Sequence, residues 1–278
     1  MAGSSEHGHS GLALFAAELQ AARTKAGLSQ DELAGRINYS PSTVAMIENL
    51  KRVPRPEFAE GCDQALGTPG TFARLQEYAR TTALPSWFQQ YAEIEAAATQ
   101  LRLFEHAVIP GLLQTEFYAR SVLATLPNTS EETVEQRVAA RLDRQAILEG
   151  DNPPRLWVVV DQAVLHRKVH NAEVMKGQLL HLAEMAMRPN VIIEVLPFEA
   201  EAYYSLLGAF AIADIGDGAR VAYLETVIEG YVVENPSVVA DIMFLFDSLR
   251  SETLSPGRSR DLIMKRAEKY GSDQGGLA

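Results

Sequence analysis

The stretch from Leu12 to Gly67 constrains this chain more than any other, because it fixes where successive short helices begin and stop. Leu12, Phe15, Leu19 and Ala22 recur at spacings of three and four, which places them on one face of a helix running to about Arg23. Gly27 supplies the left-handed residue that ends it. In Ser29-Gln30-Asp31-Glu32 the serine can accept from the backbone amide of Glu32 while the glutamate reaches back, a capping box opening a second helix. Leu33, Ala34 and Ile37 form the buried stripe of that helix. Asn38 must then turn the chain, and asparagine tolerates the left-handed backbone better than other non-glycine residues. Ser40 and Pro41 read as N-cap and first position of a third helix, where the missing N–H of proline costs nothing. Val44, Ile47 and Leu50 would face inward, leaving Ser42, Thr43 and Met46 outside. Two short helices bent around Asn38-Tyr39-Ser40 make a helix-turn-helix, and a third helix entering a major groove would present Ser42, Thr43 and Met46 to base edges.

Arg23, Gly27-Leu28-Ser29-Gln30, Leu33-Ala34, Ser42-Thr43-Val44, Ile47-Glu48-Asn49, Lys51-Arg52, Pro54 and Ala65-Leu66-Gly67 together resemble the xenobiotic-response-element type of helix-turn-helix, the five-helix head of the phage repressors. The resemblance implies an all-α, lambda-repressor-like domain over residues 11–80. It also implies that Arg23 and Glu48 pair beneath the recognition helix, and that Gln30 and Asn49 touch the sugar-phosphate backbone. Lys51-Arg52-Val53-Pro54-Arg55 holds three cations and no acid, so Lys51, Arg52 and Arg55 read as a phosphate clamp. Two departures matter. Leu50 stands where the family has glycine, so Asn49 is expected to take the strained conformation after the recognition helix. Pro41 stands where relatives place a base-reading glutamine, so readout rests on short or apolar side chains suited to thymine methyl groups, and discrimination per contact should be modest.

The charges divide the chain. Overall it has 25 Lys+Arg against 36 Asp+Glu. Between Leu19 and Arg55, however, six cations outnumber three acids, whereas residues 81–278 hold 17 basic and 27 acidic residues. The later part should therefore be repelled by DNA and serve another purpose. A length of 278 residues suits two domains, each able to bury a core. The single cysteine, Cys62, excludes a disulfide framework and reads as a small buried hydrophobe. No apolar run approaches the ~20 residues of a membrane span, and the first residues lack the pattern of a signal peptide. A cytoplasmic protein, associated with the nucleoid when bound to DNA, is expected. The Gly/Ser-rich residues 1–10, with His7 and His9, read as a disordered leader, and residues 271–278 as a disordered tail.

Leu84-Pro85-Ser86 marks the boundary before a second domain over residues 87–270. A helix is expected from Trp87 to about Phe104, another after the turn at Val108–Thr115, and a long one after Pro127–Ser130 carrying Arg137, Arg141 and Arg144. Leu156–Val160 and Val191–Leu196 are β-branched runs of strand length. Further strands are expected at Ala209–Asp214 and Val221–Glu225, with Gly216-Asp217-Gly218 as the hairpin turn between them. Helices near Ala172–Met187, Pro236–Arg250 and Pro256–Lys269 complete an α+β domain of about four strands with covering helices.

Ile109–Thr115, Tyr118-Ala119-Arg120, Arg141 with Arg144-Gln145, Val174-Met175, Gln178-Leu179, Val195-Leu196-Pro197-Phe198, Gly208, Phe210 and Tyr223-Leu224-Glu225 resemble the C-terminal domain of WhiJ-like regulators of actinomycetes. That resemblance implies a developmental or antibiotic-linked regulator, often compared with antitoxins, encoded beside a small protein that docks on it. Enzymatic readings are weaker. Asp161, Glu194 and Glu225 lie at or in strands and could converge on a metal, but lone acids at strand ends more often cap helices or pair with cations. His166 and His170 stand four apart with no glutamate between them and no obvious third ligand. No Gly-rich phosphate loop or serine elbow occurs, so neither catalysis nor a cofactor or metal is expected. Phe198, Tyr203, Tyr204, Phe210, Tyr223 and Tyr231 could line a ligand or partner pocket, or belong to the core. The reading is a homodimeric, sequence-specific binder of double-stranded DNA that regulates transcription, with the second domain receiving a signal from a small protein. An antitoxin-like interaction protein with only autoregulatory DNA binding, or an enzyme with a DNA-targeting head, are the alternatives.

Overall fold

A computed structural model describes residues 11–82, 84–127, 129–201, 208–226 and 229–272. The leader, Tyr203, Tyr204 and residues 273–278 of the expected tail lie outside the described residues. Five helices come first: α1 (Gly11–Lys25), α2 (Gln30–Arg36), α3 (Pro41–Glu48), α4 (Pro56–Leu66) and α5 (Thr71–Thr82). Then follow α6 (Ser86–Ala97), β1 (Gln100–Glu105), α7 (Glu116–Leu123) and α8 (Glu131–Arg144). The chain continues through β2 (Arg155–Asp161), α9 (Gln162–His166), α10 (Ala172–Met185) and β3 (Val191–Leu196). It closes with β4 (Phe210–Asp214), β5 (Arg220–Glu225), β6 (Gly230–Val233), α11 (Pro236–Ser251) and α12 (Pro256–Ser272), which runs two residues into the stretch assigned to the tail. These elements form two compact units, one of residues up to Ser86 with Leu126–Asp143, the other of Trp87–Thr125 with the residues from Arg144 onward.

In the first unit Leu12, Phe15 and Leu19 of α1 pack with Leu33, Val44, Ile47, Phe58, Cys62 and Phe72. Phe15 meets Phe72 edge-on at 5.5 Å, and Tyr39 meets Phe58 at 5.1 Å, contacts whose geometry adds specificity to plain area burial. The Cys62 thiol is pushed up to about 12, by burial first and then by Asp63 and Glu48, so it remains a protonated apolar group. Ala139 and Ala140 of α8 belong to this same apolar cluster. A helix placed in the second domain by sequence order is thus built into the first unit.

The second unit is a six-stranded mixed sheet in the order β3-β2-β1-β4-β5-β6. β1, β2 and β3 are mutually parallel, and β4, β5 and β6 pair antiparallel. Alternate side chains point to opposite faces. Leu103, Val158, Val160, Ile193, Val195, Ala211 and Tyr223 face α10 and α12, whose Met175, Leu179, Leu182, Ile263 and Ala267 complete one core. Phe104, Val159, Leu196, Ile212 and Ala222 face Val239, Ile242, Phe246 and Leu249 of α11 in the other. The expected α+β class holds, with six strands in place of about four. The expected helix from Trp87 to Phe104 stops at Ala97, and Gln100–Glu105 is a strand at the centre of the sheet. Leucine, glutamine, arginine and glutamate all favour helices, so local propensity concealed a strand whose conformation is decided by pairing with β2 and β4.

Candidate nucleic-acid interface

The recognition helix α3 is held by its caps. Ser29 and Glu32 form the capping box of α2, the Ser29 amide donating to Glu32 Oε2 at 2.7 Å and the Glu32 amide to Ser29 Oγ at 3.2 Å. Asn38 turns the chain at φ 57°, and the Tyr39 amide closes the turn on the Ala34 carbonyl at 2.9 Å. Ser40 then caps α3 through the Thr43 amide at 3.2 Å, with Pro41 at the first helical position. At the far end Leu50, not Asn49, takes the left-handed conformation, at φ 62°. The Lys51 amide reaches the Met46 carbonyl at 2.8 Å and the Leu50 amide reaches Ile47 at 3.1 Å. These two bonds are a Schellman ending, which requires left-handed geometry one residue past the C-cap. Asn49 is that C-cap, with φ −96°, so the strain falls on Leu50.

Arg23 and Glu48 pair as the resemblance implied. Arg23 Nε donates to Glu48 Oε1 at 2.7 Å and Nη2 to Oε2 at 2.9 Å, a bidentate fork, while Nη1 donates to the Leu28 carbonyl at 2.8 Å. The Glu48 side chain is 4% exposed. The hydrogen bond to Glu48 raises the Arg23 pKa against the opposing effect of burial. Gln30 Nε2 also donates to Glu48 Oε2, at 2.7 Å. One carboxylate therefore ties α1, the start of α2 and the end of α3 together, and Gln30, expected on the phosphates, has one amide hydrogen committed inward.

Of the three expected base readers, Ser42 is exposed and Met46 is 44% exposed, but Thr43 is buried and shares a 2.9 Å hydrogen bond with Ser40 Oγ. Thr43 lies four residues before Ile47 and so falls on the inward face, which corrects its placement among the outer side chains. Asn49 is exposed, its amide donating to the Ala45 carbonyl at 2.8 Å. Lys51 and Arg55 are exposed and Arg52 is half-buried. Between them Val53 is buried in the core, and Gln76 of α5 donates to the Pro54 carbonyl at 3.0 Å. The clamp is thereby pinned at its middle with its cations turned outward. No ion pair among the described residues occupies Lys51, Arg52 or Arg55. The contribution of Gln76 is hidden in the sequence, since nothing local distinguishes a glutamine that grips a loop 22 residues away.

The second unit does not gather the expected pocket. Phe210 lies on the α11 face, 5.6 Å from Phe104 and 6.4 Å from Phe246. Tyr223 lies on the opposite face, stacked on Tyr91 at 4.2 Å, with its phenol raised by burial first and by Glu225 next. In register, Phe210 opposes Leu224 and Tyr223 opposes Ala211, so strand alternation sends the two rings apart. Phe198 is 57% exposed beside His166, and Tyr231 is exposed with its hydroxyl on Glu229 at 2.6 Å.

The enzymatic candidates are dispersed as well. Asp161 caps α9 through the Ala163 amide at 2.8 Å. Glu194 accepts from Trp157 Nε1 at 3.0 Å and lies 3.6 Å from Arg250, whose guanidinium stacks over the Trp157 ring at 3.4 Å. Glu225 ends β5, three strands from β2, which is about 14 Å at the usual strand spacing. Among the described residues no group of three or more His, Cys, Asp or Glu is placed to hold a metal, and no helix is long and apolar enough to cross a membrane.

Comparison with known families matches residues 14–75 to a helix-turn-helix domain and residues 88–265 to a domain of unknown function, DUF5753. The first match contains every residue of the α2–α3 head and its cationic loop, and a helix-turn-helix domain suggests a DNA-binding regulator. No curated protein and no solved structure matches the chain. The second match spans more than half of the 278 residues, and on it the chain belongs to the DUF5753 family.

Proposed function

We propose that the chain is a sequence-specific, DNA-binding transcriptional regulator of the WhiJ-like kind, acting by binding and not by catalysis. The observation that carries this reading is the cationic loop Lys51–Arg55, free of ion pairs among the described residues and pinned through Val53 and Pro54 at the end of a recognition helix fixed by Glu48. Lys51, Arg52, Arg55 and Asn49 anchor phosphates, and Ser42 and Met46 meet base edges. Two exposed side chains read little sequence alone, so the chain works as a homodimer on half-sites about 34 Å apart. The DUF5753 domain receives the signal, by docking a small partner protein, and its dispersed acids support a binding role. The protein acts in the cytoplasm, at the nucleoid.

The test is retention of fragmented genomic DNA from the source by the full chain and by an Arg52→Ala, Arg55→Ala variant. A few enriched loci sharing a repeated half-site, absent from the variant, are expected. Equal retention by both proteins would refute the reading.

A further inference from the structure

One surface of the second unit runs against its acidity. Between Asp161 and Glu173 the chain has no acid, and the end of α9 with the following loop exposes His166, Arg167 and Lys168. α12 packs beside it: the Tyr270 hydroxyl donates to the His166 carbonyl at 3.0 Å, and Arg266 Nε to the Leu165 carbonyl at 3.3 Å. Lys176 of α10 reaches the end of α12, its Nζ 3.1 Å from where a Cβ on Gly271 would stand. Six other arginines of this unit are tied to acids, Arg102 and Arg220 to Asp214, Arg120 to Glu116, Arg144 to Glu95, Arg188 to Glu149 and Arg250 to Glu194, whereas Arg155, Arg258 and Arg260 have no ion pair among the described residues. Among the described residues Arg167, Lys168, Lys176 and Arg266 make no such pair. Burial first, and then the nearby Arg266 and Lys269, hold the His166 imidazole below its usual value.

We propose that this surface is a second, sequence-independent contact for the phosphate backbone of duplex DNA, resting on the reading of the first unit as a DNA-binding head. Arg167 and Lys168 just after α9 and Lys176 of α10 are exposed and Arg266 of α12 is half-buried, on helices that also expose Glu173, Asp261 and Glu268, and cations spread over three segments suit an extended polyanion better than a single phosphate. DNA is favoured over an acidic protein because a duplex held by the head is already at high effective concentration. A weak cluster then suffices, whereas a separate protein needs affinity of its own.

The experiment measures binding of the full chain to a labelled random-sequence duplex several helical turns long, across a range of salt concentrations. The variant is Arg167→Ser, Lys168→Ser, Lys176→Ser, three exposed positions, beside a charge-keeping control, Arg167→Lys, Lys168→Arg, Lys176→Arg. Removing one cation from a phosphate lowers the steepness of log K against log salt by about 0.9, so a decrease of up to about 2.7 is expected in the serine variant and none in the control. Unchanged slope and affinity in the serine variant, with a lowered slope in Arg52→Ala, Arg55→Ala, would overturn the proposal and leave the head reading intact. If the head variant also matches the parent, both readings fall. If the serine variant loses binding to polyglutamic acid but keeps the DNA slope of the parent, the surface serves an acidic protein and the proposal fails.

Discussion

At the residue scale the informative positions are those where a side chain or its absence is forced. Leu50 holds φ 62°, a conformation that costs a non-glycine residue about 1–2 kcal/mol, while its side chain packs partly against the head core. Replacing it by alanine loses the packing and keeps most of the strain, whereas glycine loses the packing and removes the strain. Leu50→Gly should therefore be more stable than Leu50→Ala by about 1 kcal/mol, read from urea denaturation of the two variants. An alanine variant as stable as the glycine one would show that Leu50 carries no strain. Gly230 is forced for a steric reason: a Cβ there would overlap the Tyr223 hydroxyl and stand 2.5 Å from Cζ and 2.7 Å from Cε2. Tyr223 has little room to retreat, stacked on Tyr91 and edge-on to Phe88 at 5.6 Å. Gly230→Ala should cost about 1–3 kcal/mol, seen as a lowered melting temperature of the sheet, and Tyr223→Phe in the same chain should not restore it because the ring carbons still collide.

At the scale of elements, the joint between α4 and α5 depends on one buried carboxylate. Asp63 near the end of α4 accepts from the Phe72 amide at 3.0 Å and the Ala73 amide at 2.9 Å, and from the Thr68 hydroxyl, so it caps α5 from a neighbouring helix. Burial alone would raise its pKa, but Thr68 and the Phe72, Ala73 and Thr71 amides together outweigh that and hold it below the usual value. The folded chain therefore binds this proton less readily than the unfolded one. The resulting stability is complete above about pH 3.9, the ordinary aspartate value, and is lost as the pH falls through the depressed folded value. Asp63→Ala should destabilise the head at neutral pH by about 1–2 kcal/mol, with the gap to the parent narrowing below about pH 4 in calorimetric melts. A gap that stays constant to pH 3 would refute the assignment.

The same joint shows which elements could be read from sequence. Ser29, Asn38 and Ser40 announced α2 and α3 because caps act within three residues. Asp63, Gln76 and β1 escaped because their partners lie 9, 22 and more residues away. Thr43 and the supposed pocket were misplaced for a geometric reason: residue type suggested a role that helical and strand periodicity, applied to Ile47 and to Phe210 with Tyr223, turns the other way.

At the scale of the whole molecule, the division of the sequence and the division of the structure disagree at α8. Residues 88–265 match DUF5753, yet Leu126–Asp143 group with the first unit, and Ala139 and Ala140 lie in the apolar cluster of Phe15, Leu33 and Phe58. α8 opens on Ser130, whose hydroxyl accepts from the Thr133 amide at 3.2 Å, and the chain returns to the second unit at Arg144, paired with Glu95 at 2.7 Å. The family domain thus contributes a helix to the reading head, and anything that alters α8 acts on the core that supports α3. It follows that α8 should open with the head and not with the sheet. Phe15→Ala, a core truncation expected to cost about 3–5 kcal/mol, should accelerate amide exchange in α8 together with α1 to α5 while β1 to β5 keep their protection. Val158→Ala in the sheet should do the reverse and spare α8. Exchange in α8 that follows Val158→Ala and ignores Phe15→Ala would return the helix to the second unit.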